Sequence, residues 1–88
     1  MYPFNIRFGS FPAKTDTEIL NINIPDLKLF YTASVWFNGY PLPISDVYGS
    51  DYVIGYRVLP SGTNVRIIIR SSAQWTTSYD ISGVIFYN

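Results

Sequence analysis

A β-hairpin is predicted by residues 52–71, which read YVIGYRVLPSGTNVRIIIRS. Each half alternates between two series of side chains, and a period of two is typical of strands. In residues 52–59 one series is Tyr52, Ile54, Tyr56 and Val58, and in residues 64–71 the apolar series Val65, Ile67 and Ile69 alternates with Arg66, Ile68 and Arg70. Between them, Pro-Ser-Gly-Thr at residues 60–63 has the composition of a tight turn. The pattern predicts two antiparallel strands with a buried face and an outer face that includes Ile68.

Four other segments have strand character, residues 2–8, 17–24, 28–37 and 79–87. Clusters of Gly, Pro, Asn and Ser separate them, and no window keeps its apolar residues at helical spacing. Six short strands in 88 residues predict an all-β fold, a small antiparallel β-sandwich that occupies residues 1–88 as a single domain.

Alternation also predicts which side chains of the second and third strands face the core. In the second strand these are Leu20, Ile22 and Ile24. In the third strand the predicted inner series is Leu29, Tyr31, Ala33, Val35 and Phe37, and the outer series is Phe30, Thr32, Ser34 and Trp36. Pro41 and Pro43 argue against a two-residue hairpin at Asn38-Gly39, because proline cannot donate to a strand ladder. Residues 38–50 are therefore predicted to form a long ordered loop.

Large apolar side chains on both sides of the third and fourth strands predict self-association. A sheet with one face in water shows clean alternation, which Phe30, Trp36, Val53 and Leu59 interrupt. We expect these side chains to be covered by further copies of the chain, in a compact homotrimer.

Composition narrows the possible functions. Six basic and six acidic residues give a net charge of zero, so no electrostatic attraction to nucleic acid or to an anionic membrane surface is expected. No Cys and no His are present, which removes disulfides, thiolate metal sites and the commonest general base. No apolar run has the length of a membrane span, and no signal peptide is apparent at the N-terminus. We expect a protein with no cofactor, no metal, no membrane insertion and no enzymatic activity.

Aromatic residues beside amides and hydroxyls indicate a recognition surface on two predicted loops, residues 38–51 and 71–78. Sugars present apolar C–H faces next to hydroxyl groups, so flat aromatic rings flanked by polar side chains suit them. The predicted glycan-binding residues are Tyr40, Tyr48 and Trp75 for stacking, with Asn38, Asp46 and Gln74 for hydrogen bonds. The alternative is that Trp36 and Trp75 pack at the end of the sandwich or at a subunit contact.

The acidic residues offer a different reading of the same region. Asp46 and Asp51 lie on one loop, where a pair of carboxylates is compatible with glycoside hydrolysis or calcium binding. The spacing of a calcium loop is missing, and short strands joined by turns provide little of the cleft that hydrolysis requires. We expect these residues to cap turns.

Residues 51–88 resemble the C-terminal β-sandwich domain of bacteriophage tail fibres and tailspikes. The likeness is in the order of a Tyr-rich strand, the Pro-Ser-Gly-Thr turn, Asn-Val-Arg-Ile-Ile-Ile-Arg, a Ser/Thr loop with Trp75, and a terminal strand at 81–88. The resemblance implies a homotrimer that ends a fibre on the virion, follows a preceding fibre or tailspike domain, and contacts a bacterial surface polysaccharide or receptor. The expected function is therefore a non-enzymatic recognition module. The alternative is a structural trimerisation or end-capping domain that binds no ligand.

Overall fold

The chain folds into two antiparallel sheets in a computed structural model that describes residues 1–11, 15–42, 54–71, 74, 76 and 78–88. The strands in these residues are β1 (Tyr2–Phe8), β2 (Thr15–Asn23), β3 (Phe30–Phe37), β4 (Tyr40–Pro41), β5 (Ile54–Ser61), β6 (Asn64–Ser71) and β7 (Tyr79–Tyr87). One sheet has the order β1-β7-β3-β4 and the other β2-β6-β5. The predicted all-β sandwich is confirmed. Within the described ranges there is no helix that could cross a membrane.

Sequence alternation located the strands well. β1, β6 and β7 have the predicted bounds, and β2 and β3 differ from them by at most two residues. The predicted hairpin is the pair β5 and β6, with Ser61 opposite Asn64 and Gly62 at a φ of 60°. Pro60 lies inside β5, where it is tolerated because β5 is an edge strand.

The strands pair in a nested order that brings the two ends of the chain together. β1 pairs with β7, and β2 pairs with β6, although each pair is far apart in the sequence. The two nested pairs lie in different sheets, and along the described strands the chain crosses between the sheets four times, after β1, after β2, after β4 and after β6. β7 becomes a central strand, with β1 on one side and β3 on the other.

The core fills the space between the inner faces of the two sheets. Its fully buried side chains include Ile67, Ile69, Ile81 and Ile85. The predicted inner series of β6 is confirmed, because Val65, Ile67 and Ile69 are all inaccessible to solvent. Tyr56 lies deep in this core and its hydroxyl donates a hydrogen bond of 2.7 Å to the Ala33 carbonyl, which ties β5 of one sheet to β3 of the other.

A β-bulge changes the predicted faces of β3. The pairing with β7 shifts register between Phe30 and Thr32, so that Tyr31 is an extra residue. Phe30 packs against the core, whereas Leu29 and Tyr31 are 55% and 57% exposed. The prediction was therefore wrong for these three residues, since alternation reverses across a bulge, and correct for Ala33, Val35 and Phe37, which are buried.

A second bulge adds a core residue in β2. The pairing with β6 shifts between Glu18 and Leu20, and the extra residue Ile19 is buried. The predicted inner residues Leu20, Ile22 and Ile24 also pack in the core, so both Ile19 and Leu20 contribute to it. With Leu20 facing the core, strict alternation would put Ile19 on the outer face. The bulge turns its side chain towards the core instead.

The predicted long loop at residues 38–50 is wrong in its first part. Asn38 and Gly39 form a two-residue turn, with Phe37 opposite Tyr40 and Trp36 opposite Pro41. Both turn residues have positive φ, 49° and 86°, which is the requirement of a type I′ turn. Pro41 is accommodated because β4 has two residues and lies at the edge of its sheet. Residues 43–50 lie outside the described residues.

A close packing contact at Gly83 provides a stability test. A Cβ placed on Gly83 would approach the Ser34 backbone oxygen to 2.5 Å and would overlap the Phe4 ring. We expect Gly83→Ala to destabilise the protein by about 1–3 kcal/mol, since the β3 backbone has little room to move. Thermal unfolding followed by circular dichroism should show a fall in Tm of about 5–20 °C. Gly9→Ala, where no atom lies within 4 Å, is the control and should unfold near the wild-type temperature. Equal Tm values for the two variants would contradict this packing.

The Tyr56 hydrogen bond provides a second test, with a pH dependence. Tyr56→Phe should lower the free energy of unfolding by about 1–2 kcal/mol near pH 7, because the buried Ala33 carbonyl loses a donor. Burial raises the pKa of Tyr56 above its ordinary value of 10.0. The unfolded chain therefore loses this proton first, and wild-type stability should fall as the pH rises above about 10.

Tyr56→Phe has no hydroxyl to ionise at this position, so its free energy of unfolding should not show this part of the fall at alkaline pH. The difference in the free energy of unfolding between wild type and variant should therefore narrow above pH 10. Urea unfolding at pH 7 and at pH 10.5 measures it, with the exposed Tyr40→Phe as control. If wild type and Tyr56→Phe differed by the same free energy of unfolding at pH 7 and at pH 10.5, the result would count against the burial of the Tyr56 hydroxyl.

Candidate functional site

The β3–β4 turn, with Asn38 and Tyr40 of the predicted recognition residues, lies at one end of the sandwich, which we call the loop end. Here β1 ends at Phe8, β3 at Phe37 and β6 at Ser71, while β5 begins at Ile54 and β7 at Tyr79. The register places these strand ends side by side, with Phe8 opposite Tyr79 and Ile54 opposite Ser71. The connections that follow β3 and β6 therefore leave the sandwich at the same end.

Asn38 fixes the β3–β4 turn to the start of β7. Its backbone N–H donates to the Asp80 carbonyl at 2.8 Å, and its side-chain Oδ1 accepts a hydrogen bond from the Asp80 N–H at 2.9 Å. The turn is thereby held beside the residues that follow the 71–78 segment. Asn38 was predicted to bind a ligand hydroxyl, and the structure gives its Oδ1 a structural role in this turn.

Tyr40 is the most exposed aromatic side chain among the described residues. It is 75% exposed, and it follows a turn whose conformation is fixed. Because Tyr40 is opposite Phe37 and Pro41 is opposite Trp36, Tyr40 and Trp36 lie on different sides of the sheet. The two rings therefore cannot form one flat platform. Tyr40 instead extends from the edge of the sheet at the loop end.

A cluster of aromatic side chains packs in the core beside the loop end. Phe11 is 1% exposed and stacks on Phe8 with ring centroids 5.3 Å apart. Phe37 and Tyr79 continue the cluster, with centroids 4.6 Å apart. The rings join the last residues of β1 and β3 to the first residue of β7, so the backbone that carries Asn38 and Tyr40 rests on a packed base.

Three of the six predicted binding residues are described by the structure. Asn38, Tyr40 and Gln74 are exposed, and the first two are brought together in one turn. Tyr48, Asp46 and Trp75 lie outside the described residues, as do Asp51 and Val53. The structure consequently places the β3–β4 half of the predicted surface and leaves the other half as a prediction.

Trp36 was noted in the sequence for its polar neighbours but not included in the predicted site. It lies on the outer face of the four-stranded sheet, opposite Ser82 on β7 and Pro41 on β4. Ser34 is two residues away on the same side, and Asn5 of β1 is the other partner of Ser82. Trp36 is half-buried in this setting. A ring bordered by hydroxyl and amide groups is a surface on which a sugar ring can lie.

The outer faces of the two sheets differ in charge. On the β2-β6-β5 sheet Arg66 pairs with Glu18, and Arg70 pairs with Asp16 at 2.9 Å. Ile68 lies between these pairs and is buried, although it was predicted to be exposed or to face another subunit.

On the four-stranded sheet the charged pair in the described strands is Arg7 and Asp80, 3.4 Å apart at the loop end. The rest of the described part of that outer face carries apolar, hydroxyl and amide side chains. It includes Pro3, Val84, Phe86, Thr32, Ser34 and Trp36.

Exposed apolar side chains concentrate at the end of this sheet away from the loops. Phe86 lies opposite Thr32, directly beside the bulge at Tyr31. Leu29 lies two residues before Tyr31, just ahead of β3, and Met1 directly precedes Tyr2, which is opposite Ile85. We call Met1, Leu29, Tyr31 and Phe86 the apolar patch. All four are among the large apolar side chains that are exposed to solvent.

The described residues contain no group of three or more acidic side chains placed to hold a metal ion. Comparison with protein families, with curated proteins and with solved structures found no match for the chain.

Proposed function

We propose that this domain is a non-enzymatic recognition module that binds a bacterial surface glycan or receptor at the loop end. In this proposal it is the C-terminal tip of a trimeric phage tail fibre or tailspike, follows a further fibre domain, and is part of the virion. The observation that carries the proposal is the position of Tyr40. An exposed aromatic ring follows a rigid turn that is fixed by two hydrogen bonds to Asp80, at the end of the sandwich where β6 ends and β7 begins.

The rigid turn favours binding because little order must be gained when a ligand arrives. The Asn38-Gly39 turn is already held in the conformation that the β-hairpin requires. A ligand that stacks on Tyr40 therefore immobilises one side chain and no loop backbone at that point. Aromatic rings on fixed supports are typical of recognition surfaces for the same reason.

The chemistry of the chain favours binding over catalysis. The sequence has no His or Cys, so proton transfer and nucleophilic attack would depend on carboxylates or other weak groups. Three of the four described acidic side chains, Asp16, Glu18 and Asp80, are engaged in ion pairs with arginine, and the fourth, Asp26, is far from the loop end in the turn after β2.

Self-association is supported by the apolar patch. Exposed Leu29, Tyr31 and Phe86 lie together at the end of the four-stranded sheet away from Tyr40. In a trimer that buries this patch, the loop ends of all three copies remain accessible. The same observation favours the structural alternative, in which the domain holds a trimer together and binds no ligand, so binding and assembly need separate tests.

The binding test replaces Tyr40. The preferred oligosaccharide is first identified by screening the wild-type protein on a glycan array, and affinities are then measured by isothermal titration calorimetry. Tyr40→Ala should weaken binding by about 1–3 kcal/mol because the stacking ring is lost. Tyr40→Phe keeps the ring and is the matched control, with affinity close to wild type.

Both variants should keep the wild-type Tm, since Tyr40 is 75% exposed. The absence of any glycan or receptor ligand for a folded trimer would support the structural alternative. Unchanged affinity in Tyr40→Ala would exclude a stacking role for this residue.

The assembly test replaces an exposed tyrosine at each end of the domain. Light scattering should give a mass of about three chains of 10.0 kDa for the wild type. Tyr31→Lys should reduce the mass towards that of one chain, because it places a charge in the apolar patch, whereas Tyr40→Lys should leave it unchanged. A wild-type mass of one chain at micromolar concentration would refute the trimer.

A further inference from the structure

A groove lies at the end of the sandwich opposite the loop end. It has a volume of about 530 Å³ and is lined by Pro25, Asp26, Lys28, Tyr87 and Asn88, and we call it the terminal groove. Its size falls within the range of small-molecule sites. It belongs neither to the predicted recognition loops nor to the charged face of the β2-β6-β5 sheet.

The walls of the terminal groove are held in place by backbone hydrogen bonds. The N–H groups of Lys28 and Leu29 both donate to the Asn88 carbonyl, at 2.7 and 2.9 Å, and the Asn88 N–H donates to Leu29 at 2.8 Å. The turn that carries Asp26 is closed by a 3.0 Å bond from the Leu27 N–H to the Ile24 carbonyl. Ile24 and Leu27 are buried, so this turn is anchored in the core. The groove is therefore formed before any ligand binds.

The charged side chains of the groove differ from the other described charges. Arg7 with Asp80, Arg66 with Glu18, and Arg70 with Asp16 form ion pairs, and Arg57 also has a bonding partner. Asp26 and Lys28, by contrast, make no side-chain hydrogen bond or ion pair with the described residues. Asp26 and Lys28 are thus the two charged side chains without a partner among the described residues, and both line the same groove.

Tyr87 adds an aromatic wall. Its ring is half-buried and packs against the core, which fixes its position, and it also lines the groove. Its hydroxyl has no hydrogen-bond partner among the described residues. The groove therefore combines a fixed ring, an acceptor at Asp26, a donor at Lys28 and a hydroxyl that can act as both.

We infer that the terminal groove binds a neutral pyranose ring, with Tyr87 against a C–H face of the sugar and Asp26 and Lys28 bonding to neighbouring hydroxyls. A vicinal diol meets both charges well, because a hydroxyl can donate to the carboxylate and another can accept from the ammonium. A ligand with one charge of either sign meets one like and one opposite charge in the groove, so the two Coulomb interactions largely cancel and give it little net attraction. This site is separate from the loop end and does not depend on glycan binding there.

The experiment is an ¹⁵N–¹H NMR titration of the full chain with methyl glycosides of glucose, galactose and mannose, one at a time. At least one should bind with a millimolar Kd, and the amide shifts should concentrate at residues 26–29, 87 and 88. Asp26→Asn should weaken that binding about tenfold, since a charge-assisted acceptor becomes a neutral one. Glu18→Gln, which changes a carboxylate on the charged sheet face, is the matched control and should bind like the wild type.

Acetate and ethylammonium at the same concentrations provide the charged probes. The inference predicts shifts in the terminal groove that are at least several times larger with the best methyl glycoside. The inference would be overturned if acetate or ethylammonium produced amide shifts as large as those of the best methyl glycoside. It would also be overturned if no methyl glycoside saturated the groove at concentrations up to 100 mM. Amide shifts confined to Asn38, Tyr40 and Gln74 would also overturn the inference, and they would support binding at the loop end. Binding in the terminal groove without binding at the loop end would support the inference and count against the proposed function.

Discussion

The antiparallel pairing of β7 with β1 on one side and β3 on the other is the constraint on which the rest of the molecule depends. At the loop end, Asp80 of β7 holds the Asn38 turn through two hydrogen bonds. In the middle of the strand, Ser82 lies beside Trp36 on the outer face, and Gly83 lets Phe4 and β3 approach closely. At the other end, the bonds of Asn88 with the 28–29 backbone close the terminal groove. One strand thus positions both candidate sites and the core between them.

The outer faces of the two sheets differ in charge because oppositely charged side chains form ion pairs across neighbouring strands of one sheet more than of the other. On the β2-β6-β5 sheet, Asp16 of β2 pairs with Arg70 directly opposite on β6, and Glu18, which is opposite Ile68, pairs diagonally with Arg66, so these charges neutralise each other. On the four-stranded sheet, serine, threonine and proline border Trp36 and Val84, and the charged pair of the described strands, Arg7 with Asp80, lies at the loop end. The second face is the one that a neutral partner can approach without breaking ion pairs.

Much of the fold could be predicted from the sequence, because a period of two survives wherever a strand runs without interruption. β6 is the clearest case, with Val65, Ile67 and Ile69 inside as predicted. The pattern fails at the bulges, where one extra residue reverses the faces. Phe30 and Tyr31 are both large and aromatic, so nothing in their chemistry shows which of them enters the core. Asn38-Gly39 was a strong turn signal, but the sequence does not show that β4 is an edge strand that tolerates Pro41.

The candidate sites were harder to predict for a related reason. Tyr40 and Asn38 were found because aromatic and amide residues cluster in that segment, although the bond between Asn38 and Asp80 joins residues that are 42 positions apart. The terminal groove gave no local signal. Its walls come from residues 25–28 and 87–88, which become neighbours only when β7 and the turn after β2 are both in place.

Proline occurs in three of the four edge strands of the described sheets, Pro3 in β1, Pro41 in β4 and Pro60 in β5. The fourth edge strand, β2, contains the bulge at Ile19 and is followed by Pro25. An edge that lacks an N–H or is locally twisted is a poor template for the addition of another strand. Growth of a continuous sheet from one copy to the next is therefore disfavoured at every edge, and this aromatic, weakly charged chain is protected against fibrillar aggregation by the same residues that limit its strands.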